Sequence, residues 1–412
     1  MLKILIHRVV ASFFILFILW ISFFPEPLQI RYKDTTFFIL LSLLFLSFLK
    51  NGFDPRRYFF QKRDLFIWLY LVLISFNLWF AQDKKLAMGF YKDLSVVVIA
   101  LYFLIKNELR FEEIKSMMRV LAISAGLISL FGLWEMVSGT NIIYEKYIGN
   151  VFYSRFIGNR MMATLIHPNI LGSYLISCFP LAYYFFKDER LKRCRWINMP
   201  ILILISIGAI LTFSRGTWIA FILMVSLWGL LRKRWKPVVF IWIAFFIFIM
   251  AANQPLSNLN KSIRYRFNIG TLINYTKYSH RTTQYLVTSN MLREHPLAGI
   301  GLNHYRMLFD KYSARKFSYE VMIPDSVYLM HLAETGLLGF CGLVIILIVV
   351  LRRGFNRLRT LNANERNLFF AILIGFIGLL FSMAFFDGFL WKTPLYLFWV
   401  FITILSDVIK TN

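Results

Sequence analysis

Of four charged side chains, Arg160, Arg215 and Asp325 stand at the borders of apolar runs and Arg281 lies in the long loop between two of them. Their types suit one kind of chemistry. A guanidinium fork matches two oxygens of a phosphate, and a carboxylate can take the proton of an attacking hydroxyl. Arg215 is the most informative of the four. It sits in Thr212-Phe213-Ser214-Arg215-Gly216, between apolar runs at 197–213 and 216–231. Runs of that length span only about 25 Å as helices, so their shared turn is short of the lipid headgroups. An arginine recessed in lipid is costly, so it lines a polar cavity and meets an anion. The alternative is an interfacial arginine that snorkels to headgroups. Arg281 and Arg160 face the same choice between an anion site and a solvated charge.

Asp325 is followed by Ser326-Val327-Tyr328-Leu329. It either caps the helix that begins there or acts as a general base. Glu334 lies in the same helix and, at about 100° per residue, falls opposite Asp325. It therefore reads as a buried structural partner. His331 is either a packed or a chemical residue. His167, His280, His295 and His304 lack zinc-ligand spacing, and no Asp-x-Asp pair offers itself to a metal-bound nucleotide sugar. No metal or cofactor is expected. Cys178, Cys194 and Cys341 lie far apart, with no redox or metal spacing.

These residues need a scaffold, and composition says which. Of 412 residues, 58% are hydrophobic and only 16% charged, against about a quarter charged in soluble domains. Apolar runs fall near 9–24, 35–49, 64–81, 93–105, 117–137, 164–186, 197–213, 216–231, 237–252, 326–351, 367–386 and 389–406. The expected fold is an all-α integral membrane protein of about twelve transmembrane helices, each needing roughly 20 residues. His167-Pro168-Asn169 breaks the start of the sixth run. The first run ends at Ile21-Ser22-Phe23-Phe24-Pro25, which is no cleavage site, so it reads as a retained helix.

The chain divides into helices 1–9 over 1–252, a long basic loop over 253–325 and helices 10–12 over 326–412. Basic residues collect in alternate connections: Lys50 to Arg63, Lys106 to Arg119, Lys187 to Arg195, Arg232 to Lys236 and Arg352 to Arg366. The positive-inside rule makes those connections cytoplasmic, puts both termini inside and turns the long loop outward. The formal charge of +25 then reflects topology, and nucleic acid is not implied. The loop carries Lys261, Arg264, Arg266, Lys277, Arg281, Arg293, Arg306, Lys311, Arg315 and Lys316, which suits phosphate on lipid or substrate. Within it, Ser279 to Glu294 reads as a helix stopped by Pro296, with Arg281, Tyr285 and Thr288 on one face.

At these residues the chain resembles the O-antigen ligase and polymerase superfamily of bacterial membrane glycosyltransferases. The motifs are Arg160 with His167-Pro168-Asn169-Ile170-Leu171, Thr212-Phe213-Ser214-Arg215-Gly216, and Arg281 upstream of Pro296-Leu297-Ala298-Gly299-Ile300-Gly301. The last is Asp325-Ser326-Val327-Tyr328-Leu329 leading to Ala333-Glu334-Thr335-Gly336. Each is short; their order around the long loop makes the set specific, over roughly residues 120–390.

The resemblance implies a metal-independent, inverting transfer at the periplasmic face of the bacterial inner membrane. The donor is a glycan on undecaprenyl pyrophosphate. A ligase passes it to the lipid A–core, a polymerase to a second lipid-linked glycan. Arg215 and Arg281, helped by Arg160, would hold the pyrophosphate, and Asp325 would activate or orient the acceptor hydroxyl. Ligases of the family usually carry histidine where Asp325 stands, and polymerase-like relatives often carry aspartate. Ligase is placed first and polymerase second.

Two readings of other classes remain. A transporter or flippase of lipid-linked oligosaccharide also suits twelve spans, but it implies related halves and polar groups at the midplane, whereas these loops are lopsided. A scaffold leaves a recessed arginine without a reason.

Overall fold

The computed structural model describes residues 2–140, 142–147, 160–188, 195–236, 238–240, 242–243, 280–313 and 323–406. The ninth expected run lies largely outside them, as do Ser279 and the loop cations Lys261, Arg264, Arg266, Lys277, Arg315 and Lys316.

Among the described residues the ordered elements are all helices, as an apolar chain in lipid requires, because a helix satisfies its own backbone polar groups. The first half comprises α1 (Leu2–Phe23), α2 (Glu26–Arg31), α3 (Lys33–Lys50), α4 (Leu65–Ser75), α5 (Asn77–Phe80), α6 (Lys84–Glu108), α7 (Phe111–Ser138) and α8 (Ile142–Tyr147). Then come α9 (Pro168–Lys187), α10 (Arg195–Leu211), α11 (Arg215–Leu231), α12 (His280–Glu294), α13 (Tyr305–Tyr312), α14 (Val327–Arg357), α15 (Ala363–Met383) and α16 (Lys392–Ser406).

Among the described residues seven spans are long and apolar enough to cross a membrane. Three further apolar helices among these residues are shorter: α10 and α11 have 17 residues each and α16 has 15. The chain is a multi-pass membrane protein. Helix α9 packs against α7, α10 and α15, while α15 also meets α11 and α16. Helix α14 packs on α4, α12 and α16. The segment linking α15 to α16 therefore lies where the starts of α11 and α14 converge.

Helix α12 faces inward through Gln284, Val287, Thr288 and Met291, an i, i+3, i+4, i+7 stripe, while Tyr285 is 57% exposed. Thus Thr288 lies on the buried side and Tyr285 departs from the expected shared face. A backbone clasp fixes this unit to α14. Ile300 N–H donates to Ala333 O at 3.0 Å, Gly301 N–H to Glu334 O at 3.1 Å, and Leu337 N–H to Pro296 O at 2.9 Å. The clasp needs a break in α14, supplied by Gly336 at φ 62°. Asn77 seals it from α5, donating to Ala298 O and accepting from Leu302 N–H at 2.6 Å.

Candidate active site

The site is assembled from helix starts. Helix α11 begins at Arg215, where the Ser214 hydroxyl accepts from Thr217 N–H at 3.3 Å and so caps the helix. A cation at that end opposes the helix dipole, and the first-turn N–H groups favour an anion there. The turn before it is strained, with Phe213 at φ 47°, a conformation costing a non-glycine residue roughly 1–3 kcal/mol. Arg215 is exposed on the protein surface.

Arg160 braces that turn. Its Nε donates to Thr212 O at 2.8 Å and its Nη2 to Asn169 Oδ1 at 3.0 Å, while Met161 N–H reaches Leu211 O at 3.0 Å. The arginine thus caps the carbonyl end of α10 and ties it to the start of α9. Two of its donors serve protein carbonyl oxygens and so hold the Arg215 turn in place. Ala163 and Ile166 also have positive φ, at 50° and 53°, so both sides of this brace are tightly bent.

Arg281, in the first turn of α12, pairs with Asp325: Nε to Oδ2 is 3.4 Å. Its Nη2 lies 3.5 Å from Phe385 O, and its guanidinium carbon is 5.9 Å from the Phe385 ring centre. Both partners of the ion pair are nearly half exposed, at 47% and 46%. Such pairs contribute only about 0–1 kcal/mol, so a phosphate can replace the carboxylate at little cost.

Asp325 is held from behind by Gln284, whose Nε2 donates to Ile323 O at 2.6 Å and whose Oε1 accepts from Asp325 N–H at 3.1 Å. The cap of α14 is its neighbour, since the Ser326 hydroxyl accepts from Leu329 N–H at 3.5 Å. That leaves the Asp325 carboxylate turned to Arg281. Glu334 is buried, and its Oε1 accepts from Tyr305 N–H at the start of α13 at 3.1 Å. It is spent on the fold. His304 is likewise structural: Asp83 N–H donates to its Nε2 at 2.9 Å, so Nδ1 carries the proton and donates to Leu302 O at 2.8 Å.

Phe385 joins the arginines. A β-carbon added to Gly216 would stand 2.4 Å from Phe385 Cβ, so the backbone beside Arg215 lies against the residue whose carbonyl faces Arg281. Phe385 is thus shared between Arg281 and the backbone that follows Arg215.

The segment after α15 also brings a residue that motif reading passed over. Asp387 follows Phe386, whose carbonyl accepts from Val327 N–H at 3.1 Å at the head of α14. Burial, and next the negative charge of Asp325, push its carboxyl up to about 7. Trp391 lies close by and acts in the opposite direction, lowering it. Its ring also stacks on His167 at 5.8 Å. The signal in sequence was a lone carboxylate between two apolar runs. Among the described residues no group of three or more His, Cys, Asp or Glu could hold a metal ion.

Arg281 beside Asp325 and Asp387, with the backbone after Arg215 against Phe385, is an arrangement that suits an anionic group and a proton acceptor. Residues 200–344 match the family model described as O-antigen ligase. Over that stretch the chain is similar to the O-antigen ligase and polymerase superfamily. No curated protein matches the chain. The O-antigen ligase stretch takes in Arg215, Arg281, Asp325 and the α12–α14 clasp, while Arg160 precedes it and Asp387 follows it. Members of this superfamily are glycosyltransferase-like membrane enzymes.

Proposed function

We propose that this protein moves a glycan from undecaprenyl pyrophosphate to a sugar hydroxyl of lipid A–core, as an O-antigen ligase does. The observation that carries this is the placement of Arg281 on Asp325 and Phe385, with the Gly216 backbone against the same Phe385. Arg215 and Arg281 grip the donor's pyrophosphate, and Arg160 holds the Arg215 turn in register. Two fixed guanidinium groups supply the positive charge that a metal ion brings to other glycosyl transfers.

The acceptor hydroxyl attacks the anomeric carbon on the face opposite the pyrophosphate. The new C–O bond forms as the bond to the phosphate oxygen breaks, so configuration inverts and charge builds on the leaving group between the arginines. Asp325 orients the hydroxyl and Arg281. The hydroxyl's proton goes to Asp387, whose carboxyl is poised near 7, and passes from there to water. The site faces the periplasm of a bacterial inner membrane, with both termini cytoplasmic. Support comes from the basic connections on the opposite side and the translocated loop.

One observation favours a second reading. Asp325 stands where family ligases usually carry histidine, which suits a polymerase that joins lipid-linked repeat units. A purified, reconstituted protein given undecaprenyl-pyrophosphate glycan and each acceptor separates the two. Transfer to lipid A–core supports the ligase, and transfer only to a second lipid-linked glycan supports the polymerase. An Arg215→Ala variant with full transfer overturns the donor site.

A further inference from the structure

The pair His167 and Trp391 has no part in holding the donor, yet it flanks the carboxylates. The Trp391 indole nitrogen is buried and closes no hydrogen bond of ordinary geometry among the described residues. It nonetheless lies near enough to Asp387 to influence its carboxyl. Buried donors are almost always paired, so one left over beside a site calls for an explanation.

Half-buried His167 offers a second donor beside it. Its Nδ1 accepts from Asn169 N–H at 3.2 Å, where it caps α9. Nδ1 is therefore unprotonated, and the ring carries its hydrogen on Nε2. That N–H has no hydrogen-bond partner among the described residues. The two rings stack with centres 5.8 Å apart and planes 27° apart, and packing fixes both. Met162 and Ile166 lie against Trp391 on one side, and Arg160 holds Asn169 on the other.

We propose that Trp391 and His167 form the acceptor-sugar subsite, in which a pyranose hydroxyl accepts from the Trp391 indole N–H and donates to Asp387, while His167 Nε2–H binds a neighbouring oxygen of the same ring. The ligand class is a hexose or related sugar at the end of the acceptor glycan. The arrangement explains why a donor is left beside Asp387: a hydroxyl of that sugar fills the gap and is thereby aimed for attack. This inference rests on the glycosyl-transfer reading above and adds the residues that choose and orient the acceptor.

The test uses the full-length protein in lipid vesicles with undecaprenyl-pyrophosphate glycan as donor. One arm offers lipid A–core and the other a lipid-linked repeat unit as acceptor. Trp391→Phe keeps the stacked ring and loses the N–H. His167→Asn keeps an oxygen to cap α9 and loses the ring donor, so it serves if the first variant does not fold. Each is expected to raise KM for the acceptor about tenfold, the usual worth of one good hydrogen bond, with donor affinity unchanged.

A second readout bears on Trp391 alone. Asp387 faces Asp325 at the head of α14, with Arg281 of α12 beyond it, and Trp391 at the head of α16. Removing the indole donor should move the acidic limb of the rate profile to higher pH, a shift that loss of packing would not produce. Acceptor KM within twofold of wild type in both variants, or donor and acceptor KM rising together, overturns the subsite and leaves the transferase standing. A wild-type protein that transfers to neither acceptor overturns the transferase reading and the subsite with it.

Discussion

Arg281 and Asp325 come from the first turn of α12 and the residue before the cap of α14, and they meet at 3.4 Å. Gln284, one turn along α12, binds Asp325 N–H and Ile323 O. The contact is therefore built into how the loop helix docks. A donor phosphate that takes Arg281 from Asp325 releases a carboxylate beside the acceptor position, so binding and activation are linked at one side chain.

Replacing Arg281 tests that link. Arg281→Lys keeps a charge but loses the fork, and its kcat/KM for the donor should fall about tenfold; Arg281→Ala should lose roughly a hundredfold. These factors follow from about 1.5–3 kcal/mol per charge-assisted hydrogen bond. Steady-state transfer rates at varied donor concentration measure both. Activity equal to wild type in both variants would mean that neither fork nor charge matters.

The pH profile should rise through about 7. The Asp387 carboxyl is neutral below that value and becomes a base above it, so the rate climbs as the proton leaves. Asp387→Asn should flatten this limb and lower kcat by about 10²–10⁴, the usual worth of a general base. Asp325→Asn removes a neighbouring negative charge, which lowers the pKa of Asp387 and moves the limb to more acid pH. Arg281 faces Asp325 as well, so the profile is best taken at saturating donor.

Arg160→Ala should act through structure. It strips Thr212 O and Asn169 Oδ1 of their partner, at about 1–3 kcal/mol for each acceptor left buried and unmet. The expected result is a lower thermal midpoint in detergent, with a fall in donor affinity smaller than that of Arg215→Ala. A loss of affinity equal to Arg215→Ala at unchanged melting temperature would make Arg160 a direct ligand.

The clasp gives a prediction about folding. A β-carbon on Gly299 would lie 2.4 Å from the carbonyl of Glu334, and one on Gly336 would lie 2.4 Å from Leu297 O. Both glycines have positive φ, at 71° and 62°. Gly299→Ala or Gly336→Ala should undock α12 from α14 and cost several kcal/mol, beyond the roughly 1–3 kcal/mol of backbone strain alone. Yield of folded protein and protease sensitivity of the loop read the effect.

Much of this arrangement was legible before the structure. Arg215 and Asp325 were marked by apolar runs that end at them, and Glu334 by its angle around the helix. Arg160 was found by motif, but its bond to Thr212 O was not, because that residue lies 52 positions away. Asp387 was hidden for a physical reason. Periodicity locates helices, whereas a catalytic neighbourhood depends on which helix ends converge, and only packing of α14 on α16 brings Asp387 to Asp325. The Tyr285 face failed similarly, since the buried stripe of α12 is set by what docks on it.

The central claim is that Arg215 and Arg281 bind one pyrophosphate. The most direct measurement is the affinity of the reconstituted protein for undecaprenyl-pyrophosphate glycan in wild type, Arg215→Ala, Arg281→Ala and the double variant. Each single change should weaken binding at least tenfold, and the double variant should fall short of the product of the two, because both act on the same group. Single variants that bind within twofold of wild type, while remaining folded, would contradict it.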